Sequence, residues 1–378
     1  MTPEERLDRF RLARTPGVGP VTYRRLLARY GSGGAAIDAL PGLARAGGRA
    51  TPPAVPGRDD CAREIDRLAR MGGRILLLDD THYPSLLARL DDAPPAISVL
   101  GDPSLLALRS VAVVGGRNAS ANGIRVAELL AADLARAGLV VVSGLARGVD
   151  GAAHQGALRS GRTVAAIAGG LDNPYPPEHA ELQARIAESG AVVAEAPLGT
   201  APQSRHFPRR NRIIAGLALG VVVVEAAARS GSLITARLAQ ELGRELFAVP
   251  GSPLDPRSRG SNDLLRQGAW LTEQASDVLE NLPEAPRETP ERLNAGPPTG
   301  LAEPEPVAAA APPADAAARL RTEILELLGP APSTVDDIVR RCQFSAAAVM
   351  AVLLELELAG RVEALPGNRV ALIRDEGD

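Results

Sequence analysis

The stretch Phe207-Pro-Arg-Arg-Asn-Arg-Ile-Ile-Ala-Gly-Leu-Ala-Leu-Gly-Val-Val-Val-Val-Glu225 joins an arginine-rich segment to an unbroken run of valines. The run Val221–Val224 indicates a strand buried on both faces, as strands of parallel sheets are. We expect Phe207–Gly216 to form a short turn at the carboxyl end of such a sheet, where open α/β folds bind ligands. Because arginine suits bidentate phosphate contacts, this segment indicates a ligand that carries phosphate.

Short apolar runs recur through the middle of the chain, each bounded by glycine or polar residues and followed by a helical stretch. They are Val111–Val114, Leu139–Val142, Thr163–Ala168, Ala191–Ala194, Val221–Val224 and Leu246–Val249. Alternation of buried strands with helices is typical of an α/β fold with a mainly parallel sheet. We therefore expect one central α/β domain.

Composition excludes several classes of function. The formal net charge of −3 is incompatible with a globally basic nucleic-acid binder, although a local basic groove remains possible. The chain contains no lysine, so a Walker-type ATPase site, which needs its lysine, is excluded. Cys61 and Cys342 are too far apart for a metal-ligand spacing and indicate a reducing compartment. With no membrane-length apolar run and no signal peptide, we expect a cytoplasmic protein without metal or cofactor.

The first part of the chain, residues 1–75, reads as short helices separated by Gly and Pro. Within it, Thr15–Gly31 is similar to a helix-hairpin-helix, in which Gly-Val-Gly opens a helix towards a DNA phosphate. A helical packing module of the sterile-alpha-motif (SAM) kind explains the same pattern equally well. Residues 76–282 hold the α/β domain, whose first part, 76–108, is a lead-in connector in which we expect a turn, a helix and a short strand.

The last part of the chain predicts a linker and a small domain. Residues 283–316 are rich in Pro, Ala and Glu and indicate a flexible linker. Residues 317–378 predict a winged helix, with three helices and a hairpin over Arg319–Leu328, Val335–Cys342, Ala346–Leu358 and residues 361–373. The third helix carries Glu355 and Glu357 and no cation, so we expect a structural or protein-contact role for it, while DNA contacts by Arg340 and Arg341 stay open.

Three further turns carry groups that suit phosphate. The turn after the first strand offers Gly115, Gly116 and Arg117, and the following helix is expected to present free amides. The second turn offers Ser143, Gly144 and Arg147, and the turn after Glu225 offers Ser230, Gly231 and Ser232 as an anion nest. Several such nests along one sheet edge suit a chain of phosphates better than one nucleotide.

Three residues allow two interpretations each. Asp150 and His154 could form an acid/base pair, but we prefer a helix N-cap beside a packed imidazole. Phe207 could be a stacking platform for a base or a buried core residue.

Taken together, these motifs resemble the DNA-processing protein A (Smf) family over residues 80–282. The matching segments are Gly115–Arg117, Ser143–Gly148 with Asp150 and His154, Phe207–Gly216, Ser230–Arg237 and Phe247–Gly251. The resemblance implies an extended Rossmann-like central domain, flanked by an N-terminal helical (helix-hairpin-helix or SAM-like) domain and a C-terminal winged helix. It also implies sequence-independent binding of single-stranded DNA and loading of the RecA recombinase during natural transformation. The partners it implies are single-stranded DNA, RecA, a second copy of the chain and a single-strand-binding protein.

The same resemblance implies DNA contacts by Arg117, Phe207, Ser230 and Ser232. Gly116 departs from the family, in which serine is frequent, and glycine has no hydroxyl to contact a phosphate. The full set of expected nucleic-acid-binding residues is Gly115, Gly116, Arg117, Ser143, Gly144, Arg147, Arg205, Phe207, Arg209, Arg210, Asn211, Arg212, Ser230, Gly231 and Ser232. No catalytic residue is expected.

Two other functions compete with this interpretation. A Rossmann-like nucleotide hydrolase of the phosphoribohydrolase type could use Asp150, Glu195 and Glu225, but its Pro-Gly-Gly-x-Gly-Thr-x-x-Glu turn is absent from the sequence. An interaction scaffold could use the N- and C-terminal modules independently of DNA.

Overall fold

The structure, a computed structural model, describes residues 1–284, 314–329, 331–342, 344–365 and 367–373. The chain divides into two compact units, Met1–Cys61 together with Pro286–Asp378, and Ala62–Ala285. The linker expected over 283–316 lies almost entirely outside the described residues. Within the described ranges, no helix combines the length and apolarity needed to cross a bilayer.

The unit Ala62–Ala285, hereafter the central unit, is built on a sheet with the strand order β1-β2-β6-β5-β4-β3-β7-β8-β9. The strands from β6 to β9 in this order are parallel, whereas β1 and β2 pair antiparallel to each other and β2 antiparallel to β6. The strands are β1 (Gly73–Leu77), β2 (Ala96–Gly101), β3 (Ser110–Val114), β4 (Val140–Ser143), β5 (Thr163–Ile167), β6 (Ala191–Ala194), β7 (Gly220–Val223), β8 (Glu245–Ala248) and β9 (Trp270–Leu271). The predicted α/β class and parallel sheet are confirmed.

Helices cover both faces of this sheet. They are α4 (Arg58–Arg70), which begins before the unit boundary, α5 (Ser85–Ala88), α6 (Ala121–Arg136), α7 (Val149–Ser160), α8 (Ala180–Ser189), α9 (His206–Leu217), α10 (Ser232–Glu241), α11 (Arg259–Arg266) and α12 (Ala275–Asn281). Alternate strand residues point to opposite faces, so Val113 packs with α6 and α7 whereas Ala112 packs with α9 and α10. Two apolar layers result, one on each side of the sheet.

Strand order reverses beside β3, and this reversal positions the site. From β3 the chain runs through β4 and β5 to β6 on one side, then returns to place β7, β8 and β9 on the other. The turns that follow β3 and β7 therefore leave the sheet in opposite directions. They open a crevice at the carboxyl ends of these two strands, which is the usual ligand position in open α/β sheets.

One strand was missed and one local expectation was wrong. The connector over 76–108 contains the expected helix and short strand as α5 and β2, whereas β1, which pairs antiparallel with β2, was not predicted. The expected turn over Phe207–Gly216 is part of helix α9, because Ile213, Ile214 and Leu217 supply an apolar face that packs on the sheet.

The other unit contains both ends of the chain. Its N-terminal helices are α1 (Pro3–Arg14), α2 (Pro20–Tyr30) and α3 (Gly33–Ala46); its C-terminal elements are α13 (Ala314–Leu327), β10 (Ser333–Thr334), α14 (Val335–Arg341), α15 (Ala346–Leu358), β11 (Val362–Leu365) and β12 (Arg369–Leu372). The Ser345 hydroxyl caps α15 by accepting from the Ala348 amide at 3.3 Å. The winged-helix prediction is confirmed, with Pro366 of the hairpin outside the described residues.

Asp150 and His154 lie inside the central unit, on α7. Gly148 rather than Asp150 is the N-cap of α7, and the Asp150 carboxylate accepts from the Ala146 amide at 3.4 Å. The Thr163 hydroxyl donates to the Val141 carbonyl at 2.6 Å, so His154 Nδ1, 2.7 Å from that hydroxyl, must be the donor of their bond. His154 is therefore a packed neutral imidazole, as preferred from the sequence.

His154 makes the stability of the central unit depend on pH. Burial, with smaller repulsion from His179 and Arg210, lowers the pKa of His154 from 6.5 to about 3. Between pH 6.5 and 3 the imidazole is therefore protonated in the unfolded chain but neutral in the folded chain. Its contribution to the free energy of unfolding is complete above pH 6.5 and is lost as the pH falls towards 3. We expect the unfolding free energy of wild type to fall through this window by up to about 1.4 kcal/mol per pH unit because of His154.

Urea unfolding followed by Trp270 fluorescence, repeated at several pH values, measures this slope. His154→Gln should flatten it, whereas the control His82→Gln, which alters an exposed histidine, should leave it unchanged. Equal slopes for wild type and His154→Gln would contradict the assignment.

Candidate nucleic-acid interface

A groove of about 660 Å³ opens at the strand-order reversal. Its walls come from the turn after β3, the turn after β7 and the first half of α9. The lining residues include Gly115, Gly116, Arg117, Phe207, Arg229, Ser230, Gly231, Ser232 and Arg257. The predicted first and third turns, which lie more than a hundred residues apart in the sequence, thus line one groove.

Glu225, just beyond β7, holds the turn after β3 in place. Its backbone carbonyl accepts from the Gly116 amide at 2.5 Å. Its carboxylate accepts from the Ser120 hydroxyl at 2.6 Å and the Ser120 amide at 2.8 Å. Ser120 in turn caps α6 by accepting from the Gly123 amide at 2.9 Å. These amides at the start of α6 were expected to be free for phosphate, but they are engaged within the protein.

The turn after β7 presents two hydroxyl groups and an arginine. The Ser230 and Ser232 hydroxyls lie 2.7 Å apart, and Ser232 begins α10. Arg229 is exposed at the mouth of the groove, and the Asn211 amide on α9 contacts the Gly231 carbonyl at 3.4 Å. An anion that reached this turn would meet hydroxyl donors and a guanidinium together.

A smaller cavity of about 160 Å³ adjoins the groove and has an aromatic wall. Tyr175 and Phe207 contact each other with ring centroids 5.6 Å apart and planes inclined by 57°. The Arg117 guanidinium carbon lies 4.7 Å from the Phe207 centroid, within cation–π range. Phe207 is only half-buried, so the structure favours an accessible platform over a core residue. Arg147 also lines the cavity and forms an ion pair with Glu178.

Arg210 is buried beneath these turns and faces the protein interior. Its guanidinium donates to the carbonyls of Gly144 and Ala166, the latter at 2.5 Å, at the ends of β4 and β5. Burial lowers the pKa of Arg210 to about 10, and the charge of Asp150 opposes that shift. Burial raises the pKa of Asp150, partly offset by Arg210. A side chain at Gly144 would overlap the Arg210 guanidinium, which explains the glycine.

Three other expected contact residues are also directed into the fold. Arg212 donates to the Asp92 carbonyl and pairs with the Glu195 carboxylate at 2.7 Å. The Ser143 hydroxyl is fully buried and donates to the Val113 carbonyl at 2.6 Å. Asn211 is almost completely buried behind the turn after β7. These groups, with Arg210, position the walls; Arg210 and Asn211 also line the groove, and the predicted DNA contacts of all four stay predictions.

The remaining expected cations, Arg205 and Arg209, are exposed at the start of α9. They lie close enough to His206 to lower its pKa, after the larger effect of burial. Neither is among the residues that line the groove or the cavity. They flank the site rather than form it.

Comparison with known proteins assigns the family. The model for DNA recombination-mediator protein A matches residues 74–283, the DprA winged helix domain matches residues 308–368, and the DprA-like N-terminal HHH domain matches residues 3–66. The chain belongs to the DNA recombination-mediator protein A family. The resemblance stated from the sequence is thereby confirmed.

Relatives and solved structures of the family cover most of the chain. It is 41% identical to Protein Smf of Escherichia coli (strain K12) over 298 residues, which is 78% of this chain and 76% of that protein. It is 44% identical to DNA processing protein DprA of Bacillus subtilis (strain 168), over 59% of this chain and 75% of that one. The structure of Streptococcus pneumoniae DprA superposes with a TM-score of 0.58 at 41% identity, covering 61% of this chain and 80% of that chain.

A second solved structure concerns the ligand. DNA processing protein A of Helicobacter pylori superposes with a TM-score of 0.51 at 31% identity, covering 56% of this chain and 95% of that chain. That structure describes the single-stranded DNA binding mode of the Helicobacter pylori protein.

Some residues of this family member's site escaped sequence reasoning. The loop after β5 supplies Asn173, Tyr175 and Pro176 to the cavity, and Arg257 reaches the groove from the segment before α11. A signal was available in Gly169–Pro177, where Gly-Gly, Asn and a rare tyrosine directly follow a buried strand. Arg257 has no comparable signal, because it lies between Pro256 and Ser258 with no apolar pattern nearby.

The burial of Arg210 gives a test of its role. We expect Arg210→Ala to lower the unfolding free energy of the central unit by about 3 kcal/mol or more, because it leaves two buried carbonyls and Asp150 without their cation. The adjacent Arg209→Ala changes an exposed side chain and should cost about 0.5 kcal/mol or less. Urea unfolding followed by Trp270 fluorescence compares the two. Similar costs for both variants would contradict the structural role.

Proposed function

We propose that this protein binds single-stranded DNA without sequence preference, protects it, and loads the RecA recombinase onto it during natural transformation. The observation that carries the proposal is the contact of Arg117 with Phe207 where the groove meets the aromatic cavity. This contact puts a phosphate-binding cation and a base-stacking ring side by side. Proteins that bind unpaired strands without sequence preference combine these two features.

The shape of the site favours a strand over a mononucleotide. The groove is open and several times larger than the cavity, so it can receive a backbone that continues beyond one nucleotide. Arg117 and Arg229 are exposed along it, where they can meet successive phosphates, whereas Arg257 is paired with Asp255 at 2.8 Å. The ring of Phe207 accepts any base, because every base has a π face. A duplex would keep its bases stacked and away from the cavity.

The three carboxylates considered for a hydrolase are all engaged. Asp150 is buried and accepts a backbone amide. Glu195 pairs with Arg212, and Glu225 accepts from Ser120. Asp150 and Glu225 border the groove, but a general base needs a carboxylate that is able to accept a substrate proton, and protein donors already engage both of them. We therefore propose a binding role without bond breaking, in preference to nucleotide hydrolysis.

The proposed partners follow from family membership. A relative in Bacillus subtilis is a DNA processing protein, and the Helicobacter pylori protein has a single-stranded DNA binding mode. In this proposal the chain acts as a homodimer, and RecA and single-strand-binding protein meet it on the same strand.

DNA binding gives the first test of this proposal. We expect wild type to bind labelled oligothymidine more tightly than the matched duplex, with affinity that falls steeply as salt rises, because phosphate contacts release counterions. Arg117→Glu should abolish binding. Phe207→Ala should weaken it by about 1–3 kcal/mol, because a stacking platform is lost. Fluorescence anisotropy across a salt series measures all three.

A matched control is available on α6 of the same unit. Arg136→Glu reverses an exposed arginine that lines neither the groove nor the cavity, so it should change affinity only slightly. If Arg117→Glu bound as well as Arg136→Glu, the groove would not be the DNA site.

RecA loading gives a second, separate test. We expect the wild-type chain to shorten the lag before RecA hydrolyses ATP on oligothymidine that is already covered by single-strand-binding protein. Arg117→Glu should leave that lag unchanged, because the mediator must hold the strand. RecA on bare oligothymidine is the control for direct effects on the recombinase. A wild-type chain that binds DNA without shortening the lag would restrict the function to protection.

A further inference from the structure

The third helix of the winged helix, α15, is covered by the N-terminal module α1–α3 within one compact unit. In helix-turn-helix proteins a helix inserted in the major groove of DNA reads the bases. Here the corresponding helix contributes Leu354 and Leu358 to an apolar cluster with the N-terminal helices. Both leucines are at most 2% exposed. One face of α15 is thus already occupied by the chain's own first helices.

The end of α3 packs directly against the backbone of α15. Gly47, at the end of α3, packs so closely on α15 that an added side chain would overlap the Glu355 carbonyl and lie 2.7 Å from Ala359 Cβ. Gly42, on the same helix, has open space around it. Only glycine fits at position 47, because the backbone of α15 fills the space that a side chain would need.

Polar contacts fix the orientation of this docking. The Thr22 hydroxyl donates to Glu357 Oε1 at 2.5 Å, and Arg25 lies 3.7 Å from the other carboxylate oxygen. Arg49 donates to the Leu358 carbonyl at the end of α15, at 3.3 Å. Burial raises the pKa of Glu357, and its bond to Thr22 opposes that shift. The contact leaves only 11% of the Glu357 side chain exposed.

Charge argues against a second use of α15 as a DNA reader. The helix carries no cation between Ala346 and Leu358, and its two acids face protein partners, Glu357 as above and Glu355 with Arg321 at 2.9 Å. An acidic helix without arginine would be repelled by phosphate. Glu357 is the acid that contacts the N-terminal module, whereas Glu355 ties α15 to α13 within the winged helix.

We propose that α15 serves as a protein-docking helix, so that the winged helix holds the N-terminal module in place and reads no DNA in the intact chain. This inference is independent of the groove in the central unit.

Hydrogen exchange of the full-length chain, measured by mass spectrometry, tests the docking. Gly47→Ala should speed exchange in both α3 and α15 by about tenfold or more, because local opening becomes easier when packing is lost. The control Gly42→Ala makes the same substitution on the same helix in open space and should change neither segment. A second pair, Leu354→Asp with the exposed control Ala347→Asp, repeats the comparison from the α15 side.

Exchange in β3 and β4 should be unchanged in all four variants, which verifies that the central unit remains folded. A short DNA duplex should protect no amide of α15 in wild type, and undocked variants should bind that duplex within about twofold of wild type. Unchanged exchange in Gly47→Ala would overturn the docking. Protection of α15 by duplex, or a clear gain in duplex affinity on undocking, would instead identify a masked DNA reader and overturn the proposed role.

Discussion

Glu225 ties together the two turns that diverge where the strand order reverses. Its backbone accepts from Gly116 and its carboxylate from Ser120, so the turn after β3 cannot move independently of β7. The groove walls are therefore set before any ligand arrives, and little ordering is left to oppose binding. A carboxylate inside an anion-binding groove would normally repel phosphate. Here its oxygens face the start of α6, and the exposed arginines are left to face the strand.

Arginine carries two separate tasks in this chain, and burial decides between them. Arg210 and Arg212 are buried and bind carbonyls and a carboxylate, which holds the ends of neighbouring strands and the loop at Asp92. Arg117 and Arg229 are exposed in the groove. A planar guanidinium with five donors can satisfy several buried carbonyls at once, as no ammonium group can. The absence of lysine therefore places no limit on the internal framework.

The sequence was sufficient for the strands β3 to β8, because runs such as Val221–Val224 have few alternatives to a buried strand, but it did not reveal β1. It was insufficient for α9, since the arginines of Phe207–Gly216 hid an apolar face made by Ile213, Ile214 and Leu217. The first and third turns could be placed at one sheet edge from the pattern alone. The burial of Arg210 could not be predicted, because it depends on the carbonyls of Gly144 and Ala166, which are far from Arg210 in the sequence. Tyr175 was missed for a different reason, because the signal in Gly169–Pro177 was present but was not used.

The docking of α15 illustrates a different limit. The sequence predicted that α15 contacts protein rather than DNA, because the helix carries Glu355 and Glu357 and no cation. Its partner could not be predicted, because Thr22 and Glu357 are 335 positions apart and no pattern in the sequence links them. Local composition therefore excludes a ligand more readily than it identifies a partner. The partner is determined by the close contact of Gly47 with the α15 backbone and by apolar packing around Leu354 and Leu358. Both contacts form only when the N-terminal helices pack on the winged helix in the folded chain.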